Sequence, residues 1–101
     1  MIKQMIREKE QVMTDLVCDV DGTWVRYFRI EDRFAYKMQL FNDVPAETAL
    51  RVVEQMTAAM EHQSYDHGAE WRRTTIEAIP KTEPYSIYQE YVVNFRMKDI
   101  Y

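Results

Sequence analysis

Apolar and polar residues follow two different periods along this chain. Residues 24–30, 34–40 and 85–98 alternate with a period of two, and residues 71–79 are rich in Thr and Ile. Such alternation places successive side chains on opposite faces of a strand, and Thr and Ile are common in strands. The pattern predicts two strands before residue 41 and two more after residue 70.

The segment between these strands has the period of a helix. Asn42 and Asp43 supply capping side chains, and Pro45 suits a first helical turn. The period predicts an amphipathic helix at about 45–63, with one side on a core and the other in water. Its core side carries Ala49, Leu50, Val53, Met56, Thr57 and Met60, and its water side carries Glu47, Arg51, Glu54, Gln55 and Glu61.

The first twenty residues fit two patterns. The apolar residues Ile2, Met5, Ile6, Val12, Met13, Leu16 and Val17 fit a helical stripe, whereas Val12, Thr14, Leu16, Cys18 and Val20 fit one face of a strand. We expect a short N-terminal helix that leads into a strand at about 14–20. A strand for residues 1–13 is the alternative that the sequence leaves open.

Together these elements predict an α+β fold. The antiparallel sheet has about five strands, in the order meander, crossing helix and final hairpin, and the long amphipathic helix packs on one face. A chain of 101 residues with two Gly and three Pro has the size and composition of one folded domain, so residues 1–101 are expected to form a single domain.

A short acidic stretch follows the first predicted strand. The sequence Asp-Val-Asp-Gly-Thr at 19–23 resembles the motif of haloacid dehalogenase superfamily phosphohydrolases, which implies Asp19 as nucleophile and Asp21 as the second acid. The surrounding residues favour a different interpretation. Asp-Gly between two alternating strands is typical of a hairpin turn, because both residues tolerate positive φ. The turn would pair Cys18 with Val25, and Cys18 is expected to be a buried, unreactive thiol.

Candidate catalytic chemistry is sparse elsewhere. His62 and His67 lie in one polar segment with carboxylates, a combination that can bind zinc or act as a general base. A small metal-dependent hydrolase that uses Asp19 and Asp21, or His62 and His67, is therefore one alternative function. Since no nucleophile, base and orienting group converge in the sequence, we predict a protein that is not an enzyme and has no metal or cofactor.

The charge balance bears on nucleic acid. The chain has 13 basic and 17 acidic residues and a net charge of −4, which disfavours general affinity for a polyanion. Basic and aromatic residues nevertheless interleave along the strands, so a single-stranded nucleic-acid binder is a second alternative. Its candidate contacts are Arg26, Arg29, Lys37, Arg72 and Arg73.

Location in the cell follows from three features. No apolar run reaches the roughly 18–20 residues that cross a bilayer. The opening MIKQMIREKE is charged where a signal peptide is apolar, and the single cysteine cannot form an internal disulfide. We expect a cytoplasmic protein without a membrane partner.

The last predicted strand is the main argument for a protein partner. Its fourteen residues, 85–98, exceed the eight or nine of its neighbours, which leaves unpaired backbone that a second chain could cover. A bulge at Asn94 would instead divide the strand in two. The principal prediction is a non-catalytic protein that acts by protein–protein binding, as a homodimer. The candidate interface residues are Tyr85, Tyr88, Tyr91, Val93, Phe95 and Met97.

Overall fold

The described residues form one antiparallel sheet with a helix on one face. The computed structural model describes residues 2–3, 16–81 and 83–98. The strands are β1 (Ile2–Lys3), β2 (Leu16–Val20), β3 (Thr23–Ile30), β4 (Ala35–Phe41), β5 (Trp71–Ile79) and β6 (Tyr88–Met97), and the helix is α1 (Ala46–Asp66). The sheet order is β1-β2-β3-β4-β6-β5. The predicted α+β fold is confirmed, with the two-residue β1 added at one edge.

The turn between β2 and β3 is the predicted Asp-Gly hairpin. Asp21 and Gly22 have φ values of 53° and 83°. The Gly22 N–H donates to Asp19 Oδ1 at 2.8 Å, and Cys18 pairs with Val25. Asp19 and Asp21 therefore shape a turn, and this local chemistry sets the register of the first hairpin.

Replacing Gly22 by alanine is expected to lower the free energy of unfolding by about 1 kcal/mol, because an L-residue with a Cβ is disfavoured at positive φ. A Cβ on Gly22 would meet no atom within 4 Å, so the backbone conformation alone causes the loss. Chemical denaturation measures the change. Gly22→Asn is the matched control, since Asn tolerates this conformation, and equal stability of the Ala variant and the parent would contradict the turn.

Helix α1 covers the sheet face to which β4 and β6 present alternate residues. The buried core comprises Cys18, Val25, Tyr27, Met38, Leu40, Ala49, Val52, Val53, Met56, Tyr91, Val93 and Phe95. The helix begins after Pro45 without a side-chain cap, so the predicted capping role of Asn42 and Asp43 is wrong. Asn42 Nδ2 donates instead to the Ser86 carbonyl at 2.7 Å and ties β4 to the segment before β6.

Strand β6 differs from the prediction in a way that matters for function. It spans Tyr88–Met97, which is ten residues, and it lies between β4 and β5. Strand β4 pairs with residues 88–94 and β5 pairs with residues 90–97, so each residue of β6 has a paired neighbour and no excess backbone requires a second chain. The irregularity expected at Asn94 occurs opposite that residue, in β5 between Arg73 and Thr75.

Side chains of α1 accept hydrogen bonds from part of the free edge of strand β5. The Trp71 N–H donates to Ser64 Oγ at 3.1 Å, and the Arg73 N–H donates to Glu61 Oε2 at 2.6 Å. Unpaired N–H groups on a sheet edge are templates for pairing with another strand. The first half of this edge is therefore blocked against such pairing.

The prediction for residues 1–13 lies outside the described residues, apart from Ile2–Lys3, which pair with Val17 and Cys18 of β2 as a strand. Within the described ranges, no helix combines the length and the apolar character that crossing a membrane requires.

Candidate functional site

Large apolar side chains are exposed at the end of the sheet where β4 stops and β6 starts. Phe41, Tyr85 and Ile87 are 47%, 91% and 58% exposed. Phe41 stacks on Tyr88 with ring centroids 5.6 Å apart and planes at 20°. We call Phe41, Tyr85, Ile87 and Tyr88 the end patch. Water-exposed apolar groups that lie close together are a candidate contact surface.

Hydrogen bonds hold the end patch in place. The Asn42 N–H donates to the Ile87 carbonyl at 2.9 Å, and Lys81 Nζ donates to the Ser86 carbonyl at 2.9 Å. Arg26 Nη1 donates to the Tyr88 hydroxyl at 3.1 Å, and its guanidinium carbon lies 5.4 Å from the centroid of that ring. The segment that carries Tyr85 and Ile87 is thus fastened to β4, and Tyr88 is fastened to β3.

The structure separates the six interface residues named from the sequence into three groups. Tyr85 and Tyr88 lie in the end patch, whereas Met97 is exposed at the opposite end of β6. Tyr91, Val93 and Phe95 are buried, because α1 covers the sheet face to which they point. These three are therefore core residues, and a partner chain does not reach them in this fold.

Sequence reasoning missed Phe41 and Ile87. Phe41 is an apolar residue directly before the polar pair Asn42-Asp43, and Ile87 follows Pro84 by three residues. The feature of the sequence that could have indicated these two residues is an apolar side chain at the end of a strand, next to a turn. Only the antiparallel pairing of β4 with β6 brings the two segments together.

The five basic residues considered for nucleic acid do not form one strip. Lys37 lies on the sheet face away from α1, where its Nζ is 3.9 Å from Glu90 Oε1. Arg29 pairs in register with Tyr36 on the helix side, and Arg72 Nη2 is 2.7 Å from Glu70 Oε2. Arg26 is bonded to Tyr88, and the Arg73 N–H is bonded to Glu61. The basic groups are divided between two faces, and Lys37 and Arg72 each lie beside a carboxylate.

The residues considered for hydrolytic chemistry are also apart. His62 Nε2 lies 3.7 Å from Asp66 Oδ2, and His67 Nδ1 lies 2.9 Å from the Gln63 carbonyl. Both contacts are local to the end of α1, whereas Asp19 and Asp21 belong to the turn between β2 and β3. Among the described residues, no group of three or more His, Cys, Asp or Glu side chains could hold a metal ion.

Cys18 and Tyr27 form a buried pair on the helix side of the sheet. Burial raises the pKa of the Cys18 thiol, and a hydrogen bond with Tyr27 partly offsets the rise. Burial, followed by the charge of Cys18 and the hydrogen bond with it, raises the pKa of Tyr27 to about 12. Both groups are therefore neutral near pH 7, as expected for residues of a packed core.

Comparisons with known proteins assign no function to this chain. No family model, no curated protein and no solved structure matches the chain. The end patch is the surface on which a functional argument can be built.

Proposed function

We propose that the protein is a non-catalytic protein-binding module that forms a homodimer through the end patch. The observation that carries the proposal is the exposure of Phe41, Tyr85 and Ile87 at one end of the sheet. Clustered apolar groups with a polar rim are typical of protein interaction sites, and Tyr is enriched among residues that anchor interfaces.

The charges around the end patch support a second copy as the partner. Arg26 donates a hydrogen bond to Tyr88 and Lys81 donates one to Ser86, and the acidic residues Asp43 and Glu83 lie two positions from Phe41 and Tyr85 in the sequence. In a two-fold contact each patch meets its own equivalent, so a patch with a net charge would repel itself. Residues of both signs next to apolar side chains permit such a contact, and Phe41 and Ile87 would lose water on both copies.

The Tyr85→Ala variant is expected to raise the dissociation constant of the dimer at least about tenfold, since truncating an interface anchor costs more than about 1 kcal/mol. Sedimentation equilibrium over a range of concentrations measures this constant. Tyr85 is 91% exposed, so its truncation removes little intramolecular packing.

Tyr65→Ala is the matched control. Tyr65 is 65% exposed on the last turns of α1, and its truncation should leave the dissociation constant unchanged. A monomeric mass up to about 1 mM protein would contradict the proposal, since a specific dimer weaker than that would have no function at cellular concentrations. Equal weakening by both variants would also contradict it, because the contact would then not be specific to the end patch.

A further inference from the structure

A second surface, at the other end of β6, has a different character. A cleft of about 360 Å³ opens between the last turns of α1 and the strands β3, β4 and β5. Three aromatic rings line it: Tyr27 and Tyr36 have centroids 6.3 Å apart, and Tyr36 and Trp71 have centroids 6.2 Å apart. The remaining lining residues are Met60, Gln63, Ser64, His67 and Ala69. The volume falls within the range of about 300–1,000 Å³ that small-molecule sites occupy.

The wall formed by Trp71 is fixed by its neighbours. Its ring packs edge-on against Phe34 at 4.9 Å and lies 5.5 Å from Phe95. The backbone N–H of Trp71 donates to Ser64 Oγ, which joins the start of β5 to α1. The aromatic surface is therefore held in shape before any ligand arrives.

The electrostatics of the cleft favour a positive ligand. The C-terminal end of α1 lies at its rim, and the last turn of this helix carries no Lys or Arg. A helix C-terminus bears a partial negative charge that attracts cations.

One cation already occupies part of the same aromatic cluster. The guanidinium carbon of Arg29 lies 5.0 Å from the Phe34 centroid and 5.9 Å from the Tyr36 centroid. At such distances the quadrupole of the ring attracts a positive charge. Arg29 therefore already makes a cation contact with Tyr36, which is one of the three rings that line the cleft.

We propose that this cleft binds a small organic cation of the quaternary ammonium class. The charged head group lies against the rings of Tyr27, Tyr36 and Trp71, close to the C-terminal end of α1. The polar side chains of Gln63 and His67 line the same cleft and can bind a hydroxyl group on the ligand. This site is separate from the end patch and does not depend on dimer formation.

Nuclear magnetic resonance titration with choline tests the proposal. We expect the indole N–H signal of Trp71 to shift along a saturable curve, whereas that of Trp24, which lies outside the cleft, stays in place. The neutral isostere 3,3-dimethylbutan-1-ol replaces the charged nitrogen by carbon at nearly constant shape. It should bind at least about tenfold more weakly, because it lacks the cation–π attraction.

Three variants locate the site. Tyr36→Leu removes a ring and should weaken choline binding at least about tenfold, while Tyr36→Phe keeps the ring and should bind within about threefold of the parent. Tyr36→Phe is closely isosteric, so the comparison remains available if the Leu variant fails to fold. Phe41→Leu, in the end patch, should bind choline like the parent.

Two results would overturn the proposal. If the neutral isostere binds as tightly as choline, the cleft selects apolar shape and not charge. If choline produces no saturable shift of the Trp71 signal in the folded parent protein, the cleft does not bind this class of ligand.

Discussion

Replacing Phe95 by alanine is expected to lower the free energy of unfolding by about 3–5 kcal/mol. Phe95 is 6% exposed and lies at the centre of the aromatic cluster. Its ring centroid is 5.6 Å from Phe34 and 5.5 Å from Trp71. Truncation removes the buried ring and leaves a cavity that Phe34, in the turn before β4, and Trp71, at the start of β5, cannot fill. Urea denaturation at a fixed protein concentration measures the loss.

Met97 provides the control within the same strand. It lies two residues after Phe95 and is 59% exposed, so Met97→Ala should change the free energy of unfolding by no more than about 0.5 kcal/mol. Both residues are interface candidates in the sequence, and the structure places only one of them in the core. A Phe95→Ala variant that keeps full stability would contradict the burial of this residue.

The parts of the fold that follow from local chemistry could be predicted. The Asp-Gly turn fixes the register of β2 and β3 because positive φ at Asp21 and Gly22 is a property of those two residues. The apolar period predicts the long helix to within a few residues of Ala46–Asp66, because this period extends over many turns. Neither inference needs information from distant parts of the chain.

The face that α1 covers could not be predicted in the same way. A period of two divides a strand into two faces, but it does not say which face meets the helix. In β6, Tyr91, Val93 and Phe95 meet α1, while Glu90 on the other face contacts Lys37 and Gln39 of β4. The sequence therefore indicates correctly that Tyr91, Val93 and Phe95 form a contact surface. The surface that they contact belongs to helix α1 of the same chain and not to a second chain.

The end patch and the cleft depend on pairings that are distant in sequence. Phe41 meets Tyr88 only because β6 inserts between β4 and β5 after the helical crossing. The cleft likewise combines Tyr27, Tyr36 and Trp71, which belong to three different strands. No spacing along the chain indicates these groups, so three-dimensional structure was required to find them.

Alkaline pH is expected to destabilise the protein through Tyr27. Its pKa is raised from 10.0 to about 12 in the folded chain, since burial beside Cys18 disfavours the phenolate. Between these two values the unfolded chain loses the proton and the folded chain keeps it, so the free energy of unfolding falls as pH rises. Below about pH 9 Tyr27 is protonated in both states and contributes no pH dependence. The integrated loss from pH 10 to 12 is about 2 kcal/mol.

The Tyr27→Phe variant tests this origin directly, because phenylalanine keeps the buried ring and has no proton to lose. Between pH 10 and 12 its free energy of unfolding, measured by urea denaturation, should fall by about 2 kcal/mol less than that of the parent. Tyr85→Phe removes the same hydroxyl from an exposed ring and controls for the substitution itself. If the parent and Tyr27→Phe lose stability equally over this interval, the buried hydroxyl beside Cys18 is not the cause, and the packing of Tyr27 under α1 would have to be revised.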